Sequence, residues 1–435
     1  MRSPNIRRTT LLATALFTAA GLSLTACGGG GSGGGNSSTV TIWSSIDAPV
    51  QAGLEKALKA KLAADGSNIT IKWDQVQNIN QLIITKIQAG DTPDIALVPQ
   101  PGLVAQMNTL GATKPLDSVV DMNSLKSSMV PGTLEAGTIN NQLMGLLVSA
   151  NVKGLIWYPK QAWAKAGYKP ATTIPELEQL TDQIKSDGHT PWCMGIESDT
   201  ATGWPATDWF ETLIMKQNGA DVYNQWVQHK VPFSSPQVQQ AAAEFSKLLF
   251  TTGNTLGGQK AIPSNNFGTA GNPMFQDPPK CYMYMQGSFI TGFFPKNTTS
   301  NLDANVGVFG FPPATSGGEN PVEGVGDLMT MLNDSDNVKT VVKDLSETSI
   351  GNDAAPTSSF ISPHKDFNVS LYPNQVTKDI AKYLYGASTF LFDGSDSMPA
   401  QVGTGSFWKE MTAWISGQED INTALKNIDA SWPSS

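Results

Sequence analysis

The stretch Gly203-Trp204-Pro205-Ala206-Thr207-Asp208-Trp209 concentrates more potential chemistry than any other part of this chain. A proline suits the first turn of a helix, which puts Trp204 at the helix mouth and Asp208 one turn further on. An indole beside a carboxylate suits a sugar, whose C–H face stacks on the ring while its hydroxyls donate to the carboxylate. Trp209 and Leu213 stand at i and i+4 and read instead as core. No helical partner falls on the Trp204 face, so that ring is expected to meet a ligand. Gly405-Ser406-Phe407-Trp408 offers a second indole, which reads either as a platform or as core. Gly324-Val325-Gly326-Asp327 reads as a plain turn before a strand, or as backbone and a carboxylate brought close to a ligand.

Catalytic readings are poorly supported. The three histidines, His189, His229 and His364, are isolated, with no H-E-x-x-H and no metal-like spacing. No phosphate-binding G-x-x-x-x-G-K-[ST] occurs, and no dinucleotide fingerprint follows a strand. A G-x-S-x-G at residues 30–34 has neither a strand before it nor a helix after it, so it is no nucleophile elbow. Glu197 and Asp208 could pair as glycosidase carboxylates, a weak signal because acids are common. No cofactor and no metal is implied.

These residues need elements to position them. Val40 and Ile42 alternate into Trp43, and Val50, Leu54, Leu58 and Leu62 recur every four residues after Pro49. Ile69, Ile71 and Trp73 alternate again, residues 82–87 read as helix, and 94–98 as a buried strand after the turn Gly90-Asp91-Thr92-Pro93. This β-α-β-α-β order predicts an α/β class with a largely parallel sheet. Further on, strands are expected at 154–158, 192–196, 281–285, 306–309 and 328–332. Helices are expected at 161–166, 174–185 and 205–215, and through most of the chain from about residue 338. Ligands of open parallel sheets sit at the carboxyl ends of strands. That rule selects Trp43-Ser44-Ser45, Pro99-Gln100, Glu197-Ser198 and Gln286-Gly287-Ser288-Phe289, and leaves Asp94 at the wrong end as a cap or turn residue.

With 435 residues, the chain is long enough for two domains. A formal charge of −9 argues against a nucleic-acid binder, which would need cations for phosphates. Arg2, Arg7 and Arg8 precede an apolar run at 11–22, too short to span a bilayer, and Leu24-Thr25-Ala26-Cys27 follows. This describes a secretory signal, and residues 28–38 form a Gly/Ser/Asn tether. Removing the signal takes away three arginines and no acids, so the remainder is more acidic still. Beyond Cys27 only Cys193 and Cys281 remain. Outside the cytoplasm such a pair is bridged or, failing that, forms two buried thiols.

Leu-Thr-Ala-Cys resembles the bacterial lipobox, which implies lipid on Cys27, a signal peptide at 1–26 and a tether at 27–38. Other stretches resemble the extracellular solute-binding proteins of bacterial ABC importers, and within them the alpha-glucoside-binding group. They are Gly90-Asp91-Thr92-Pro93-Asp94, residues 155–160 with Gly167, residues 191–198, Gly203 to Trp209, Pro279-Lys280-Cys281 with residues 286–289, Gly405 to Trp408, and the ending at 428–433. The resemblance covers nearly all of the mature chain. It implies a periplasmic-binding-protein-like fold, two α/β lobes joined by a hinge with the ligand cleft between them. Lobe one would be 39–149 with 304–346, and lobe two 150–303 with 347–435. It implies a Cys193–Cys281 disulfide. It also implies a site of Trp43, Ser44, Ser45, Asp47 and Gln100 from lobe one and Asn151, Trp204, Asp208, Phe289 and Trp408 from lobe two, with Gly326 and Asp327 near the cleft. The expected function is capture of an alpha-glucoside or related di- or oligosaccharide and its delivery to permease subunits. The protein would be a monomer lipid-anchored outside the cytoplasm and would not be an enzyme. The rivals are a surface glycoside hydrolase and a binding lipoprotein for a non-sugar solute such as a peptide or metal chelate.

Overall fold

The computed structural model describes residues 38–433 apart from residue 358. The proposed signal, the lipidation at Cys27 and most of the tether lie outside that range. The first strands and helices follow the hydrophobic periodicity: β1 (Thr39–Ser44), α1 (Ala48–Ala64), β2 (Thr70–Gln75), α2 (Ile79–Ala89), β3 (Ile95–Val98) and α3 (Pro101–Thr109). Val50, Leu54, Leu58 and Leu62 form the buried stripe of α1. Asp94 has the structural role expected of it, accepting from the Thr41 backbone and hydroxyl, each at 2.8 Å.

Next come α4 (Met122–Ser128), a short hairpin of β4 (Thr138–Ile139) and β5 (Gln142–Leu143), then β6 (Leu146–Val152) and β7 (Leu155–Pro159). Helix α5 (Lys160–Ala166) ends at Gly167 in the left-handed conformation, as the sequence predicts. Helix α6 (Ile174–Ser186) follows, and α7 (Trp204–Val227) is interrupted at Gly219, where φ is 83°. The remaining strands are β8 (Tyr284–Gln286), β9 (Val306–Gly310), β10 (Val322–Met331) and β11 (Phe390–Phe392). Residues 192–196 form no strand; Trp192 instead makes isolated bridges to Thr255 and Met283.

Two sheets result. In the first, β1 pairs in parallel with β2 and β3, as the β-α-β order requires. The long β10 then joins antiparallel to β3 and β6, and parallel to β11, so the sheet is mixed. The second sheet, β8-β7-β9, is wholly antiparallel. The parallel arrangement expected therefore holds for the first three strands, where each connection is a helix long enough to cross over, and for the β10–β11 pair. The strand pairings also relocate the expected boundaries. Strand β9 belongs to the second sheet, so the chain returns to the first sheet between Gly310 and Val322 rather than at 304. Strand β11, from the stretch expected in lobe two, belongs to the first sheet.

A second core lies under α7, where Trp209 packs edge-on against Trp192, Phe245 and Phe311 at centroid distances of 5.2–5.8 Å. Cys193 and Cys281 are bonded, with their Cα atoms 5.4 Å apart.

Candidate functional site

A cleft of about 310 Å³ lies where the first-sheet strand ends meet the turn after β8. Ser45, Ile46 and Asp47 reach it from the end of β1, and Pro99 and Gln100 from the end of β3. Ser149 and Asn151 come from β6, Val325–Asp327 from β10, Phe289 from beyond β8, and Ser359 and Asp396 from later loops. Of the twelve ligand-binding candidates, the structure brings Ser45, Asp47, Gln100, Asn151, Phe289, Gly326 and Asp327 to this cleft.

Local structure fixes each wall. Pro49 fits the first turn of α1, which begins after a three-residue link from β1. Ser44, expected as a ligand contact, is instead fully buried: it donates to Gln51 Oε1 at 3.0 Å and accepts from Trp73 Nε1 at 2.9 Å. Gln100, at the N-cap position of α3, donates to Asp396 at 2.9 Å and accepts from Asn80 at 2.8 Å. The sequence expectation of a turn at 324–327 is corrected, because these residues lie within β10. Their glycines permit a close strand approach: a Cβ on Gly326 would stand 2.1 Å from the Ser149 carbonyl oxygen. A register shift between Asp327 and Leu328 interrupts the ladder beside the cleft.

Asp327 is 8% exposed, and its carboxyl makes no hydrogen bond or ion pair with any described residue. Burial, helped by the charge of Asp47, pushes its pKa up to about 7. Asp396 rises to about 6 through burial and the charge of Asp393. Among the described residues no lysine, arginine or histidine lines the cleft. A cleft with three carboxyls, several hydroxyls and amides, and one aromatic ring repels anions and offers acceptors to ligand hydroxyls.

The remaining candidates lie outside the lining. Trp204 packs against Phe289, with ring centroids 5.8 Å apart, and meets Phe267 edge-on at 4.9 Å. It touches the aromatic wall without lining the cleft. Gly203 before it has φ 115°, and a Cβ there would meet the Trp408 carbonyl oxygen at 2.4 Å. Trp408 packs at this helix mouth with its indole Nε1 buried and without an acceptor. Trp43 is half-buried in β1, between Asp74 of β2 and Ala96 of β3.

Asp208, expected to accept from hydroxyls, is an internal counter-ion: it is 3% exposed, with Oδ1 2.8 Å from Lys153 Nζ. Glu197, its suggested glycosidase partner, accepts from the Asp199 amide at 2.8 Å and Asn266 at 2.7 Å, and neither acid lines the cleft. Sequence reasoning missed Ser149, Ser359, Asp396 and Lys153. Asp396 follows a strand end, but Phe390–Phe392 is too short to read as a strand from periodicity.

A larger cavity, about 590 Å³, lies at the far end of β7 beside α5, where His189 stacks on Tyr282. Its wall is built mainly of prolines, amides and rings, and the first-sheet strand ends do not converge on it.

Residues 47–354 match the family of bacterial extracellular solute-binding proteins. The osmoprotective compounds-binding protein GgtB of Synechocystis sp. is 33% identical over 94% of this chain and 96% of its own. The alpha-glucosides-binding periplasmic protein AglE of Rhizobium meliloti is 34% identical over 85% of this chain and 82% of its own. The solved bacterial solute receptor AcbH shares the fold, with a TM-score of 0.77 and 15% identity over 90% of this chain and 98% of that one. The two-sheet architecture is thus that of periplasmic sugar-binding proteins. The chain belongs to the bacterial extracellular solute-binding proteins, the substrate-binding components of ABC importers and not enzymes.

Proposed function

We propose that this protein captures an alpha-glucoside or a related di- or oligosaccharide and hands it intact to the permease subunits of an ABC importer. It acts as a monomer held at the outer face of the membrane by lipid on Cys27. The observation that carries the sugar reading is the cleft itself. Asp47, Asp327 and Asp396 supply carboxyl acceptors, Gln100 and Asn151 supply amides, and Phe289, packed against Trp204, supplies a ring face. A neutral polyol ring satisfies all three kinds of group, and an anionic ligand would find no cation there. The printed name of the AglE relative favours an alpha-glucoside.

Tryptophan fluorescence titrated with maltose, sucrose and trehalose tests the reading, with glucose 6-phosphate as the anionic control. A saturable response to a neutral glucoside, with the sugar recovered unchanged by chromatography, is expected. No response to any of the three would refute it. A second reading, capture of a small osmoprotectant, is favoured by the printed name of the GgtB relative. Sorbitol and glycine betaine in the same titration separate the two.

A further inference from the structure

Two passages of the chain between the sheets, β6 to β7 and β9 to β10, and the turn that leaves β11 contribute one charged side chain apiece to a single cluster. Lys153 lies between β6 and β7, Glu323 near the start of β10, and Asp393 just after β11. The passages are stitched together by backbone bonds, from the Lys153 amide to the Glu323 carbonyl at 2.8 Å and from the Asp393 amide to the Gly324 carbonyl at 2.9 Å. Helix α7 adds Asp208, Glu211 and Thr212 on the facing side, and Asp396 adjoins. Lys153 donates to Asp208 at 2.8 Å and to Asp393, and its ammonium lies 5.5 Å from the Trp204 ring centroid. Carboxylate oxygens of Asp208, Glu323 and Asp393 lie within 4.8 Å of one another, close enough to hold a cation. The Lys153 ammonium is already the cation between Asp208 and Asp393.

One ammonium cannot balance four buried carboxylates, and the hydrogen bonds show which one differs. Asp393 accepts from Lys153, from the Ser395 hydroxyl at 2.7 Å and from the Asp396 amide at 2.9 Å. Glu211 accepts from the Gly394 and Ser395 amides at 2.5 and 3.2 Å and from the Tyr223 hydroxyl at 3.1 Å. Asp208 has Lys153. Glu323 is fully buried and has a single neutral donor, the Thr212 hydroxyl at 3.0 Å, on one oxygen; its other oxygen has no partner. Lys216, one turn beyond Thr212, turns away to Asn320 and Tyr383. A bare anionic oxygen in such an interior is costly, whereas a neutral carboxyl is tolerated.

We propose that Glu323 holds a proton at the interlobe passages, and that losing it loosens them, so that solute capture by this protein weakens as the pH rises. Burial, and after it the charge of Asp208, drives the Glu323 pKa well above its ordinary value, with Lys153 opposing. When Glu323 ionises, one more uncompensated charge joins the buried carboxyls of Asp208, Glu211 and Asp393. The passages that keep the two halves of the cleft in register then repel one another. Gln in place of Glu mimics the protonated form permanently.

The test compares the full chain with Glu323→Gln between pH 5.5 and 9, by thermal melting without ligand and by fluorescence titration with maltose. The affinity part rests on the sugar reading above; the melting part does not. The wild type is expected to melt lower and to lose at least threefold in affinity as the pH rises, while Glu323→Gln changes less on both counts. Thr212→Val, which removes the single donor to Glu323, should move the wild-type profile to higher pH. Parallel melting profiles for wild type and Glu323→Gln would overturn the proposal whatever the ligand. If the melting difference appears but no glucoside binds, the proton assignment stands and the sugar reading falls.

Discussion

Replacing Asp327 by Asn should make the protein more stable and a worse receptor. Asp327 lies on β10 at the floor of the cleft, 8% exposed and without a protein partner for its carboxyl, so in the folded chain it keeps its proton up to about pH 7. In an unfolded chain the same carboxyl releases its proton near pH 3.8. Between those values the folded state binds more protons than the unfolded one, so stability falls as pH rises from about 4 to about 7. The displacement is about three units, and at ~1.4 kcal/mol per unit the penalty above pH 7 is at most ~4 kcal/mol. With unfolding entropy near 2.1 cal/mol/K per residue over roughly 400 residues, that corresponds to about 5 °C in Tm. Asn is isosteric with the protonated acid and avoids the penalty. Asp327→Asn should therefore melt a few degrees above wild type at pH 8 and at the same temperature at pH 4. The same change leaves one carbonyl acceptor where the carboxyl offers two oxygens to ligand hydroxyls, a loss of ~0.5–1.5 kcal/mol, so affinity should fall by about two- to tenfold. Differential scanning calorimetry at the two pH values and a fluorescence titration measure both effects. A variant that melts no higher than wild type at pH 8, or whose gain persists at pH 4, would refute the reasoning.

Phe289→Ala should weaken sugar binding by about tenfold or more. Trp204→Ala should weaken it less, because it acts through its tilted contact with Phe289, worth ~0.5–1.5 kcal/mol; equal losses in titration would show that Trp204 meets the sugar directly. Lys153→Met strands Asp208 and Asp393 as buried anions and should cost ~3–5 kcal/mol in urea denaturation, part of which a second change, Asp393→Asn, should restore. Reducing Cys193–Cys281 opens a loop spanning 88 positions and should lower stability by up to ~4–5 kcal/mol, read as a lower urea midpoint with little change in sugar affinity.

Sequence alone determined what depends on neighbours along the chain. The four-residue repeat of Val50 to Leu62 set α1, Gly167 closed α5 and Pro205 opened α7. Strand-end reasoning selected Ser45 and Gln100, because a parallel β-α unit delivers its polar loops to one edge, and Phe289 after antiparallel β8; Asp47 came from the family resemblance alone. The pairing of β10 with three strands far away in sequence, and the placing of β9 in the other sheet, depend on contacts that no local period encodes. The same limit explains Asp208 and Asp396. Both are acids next to apolar segments in the sequence, yet one is buried against Lys153 and the other forms a cleft wall. What separates them is where a lysine 55 positions away puts its ammonium. A side chain's charge and shape are local properties, but its solvent and its partners are assigned only when distant segments pack together.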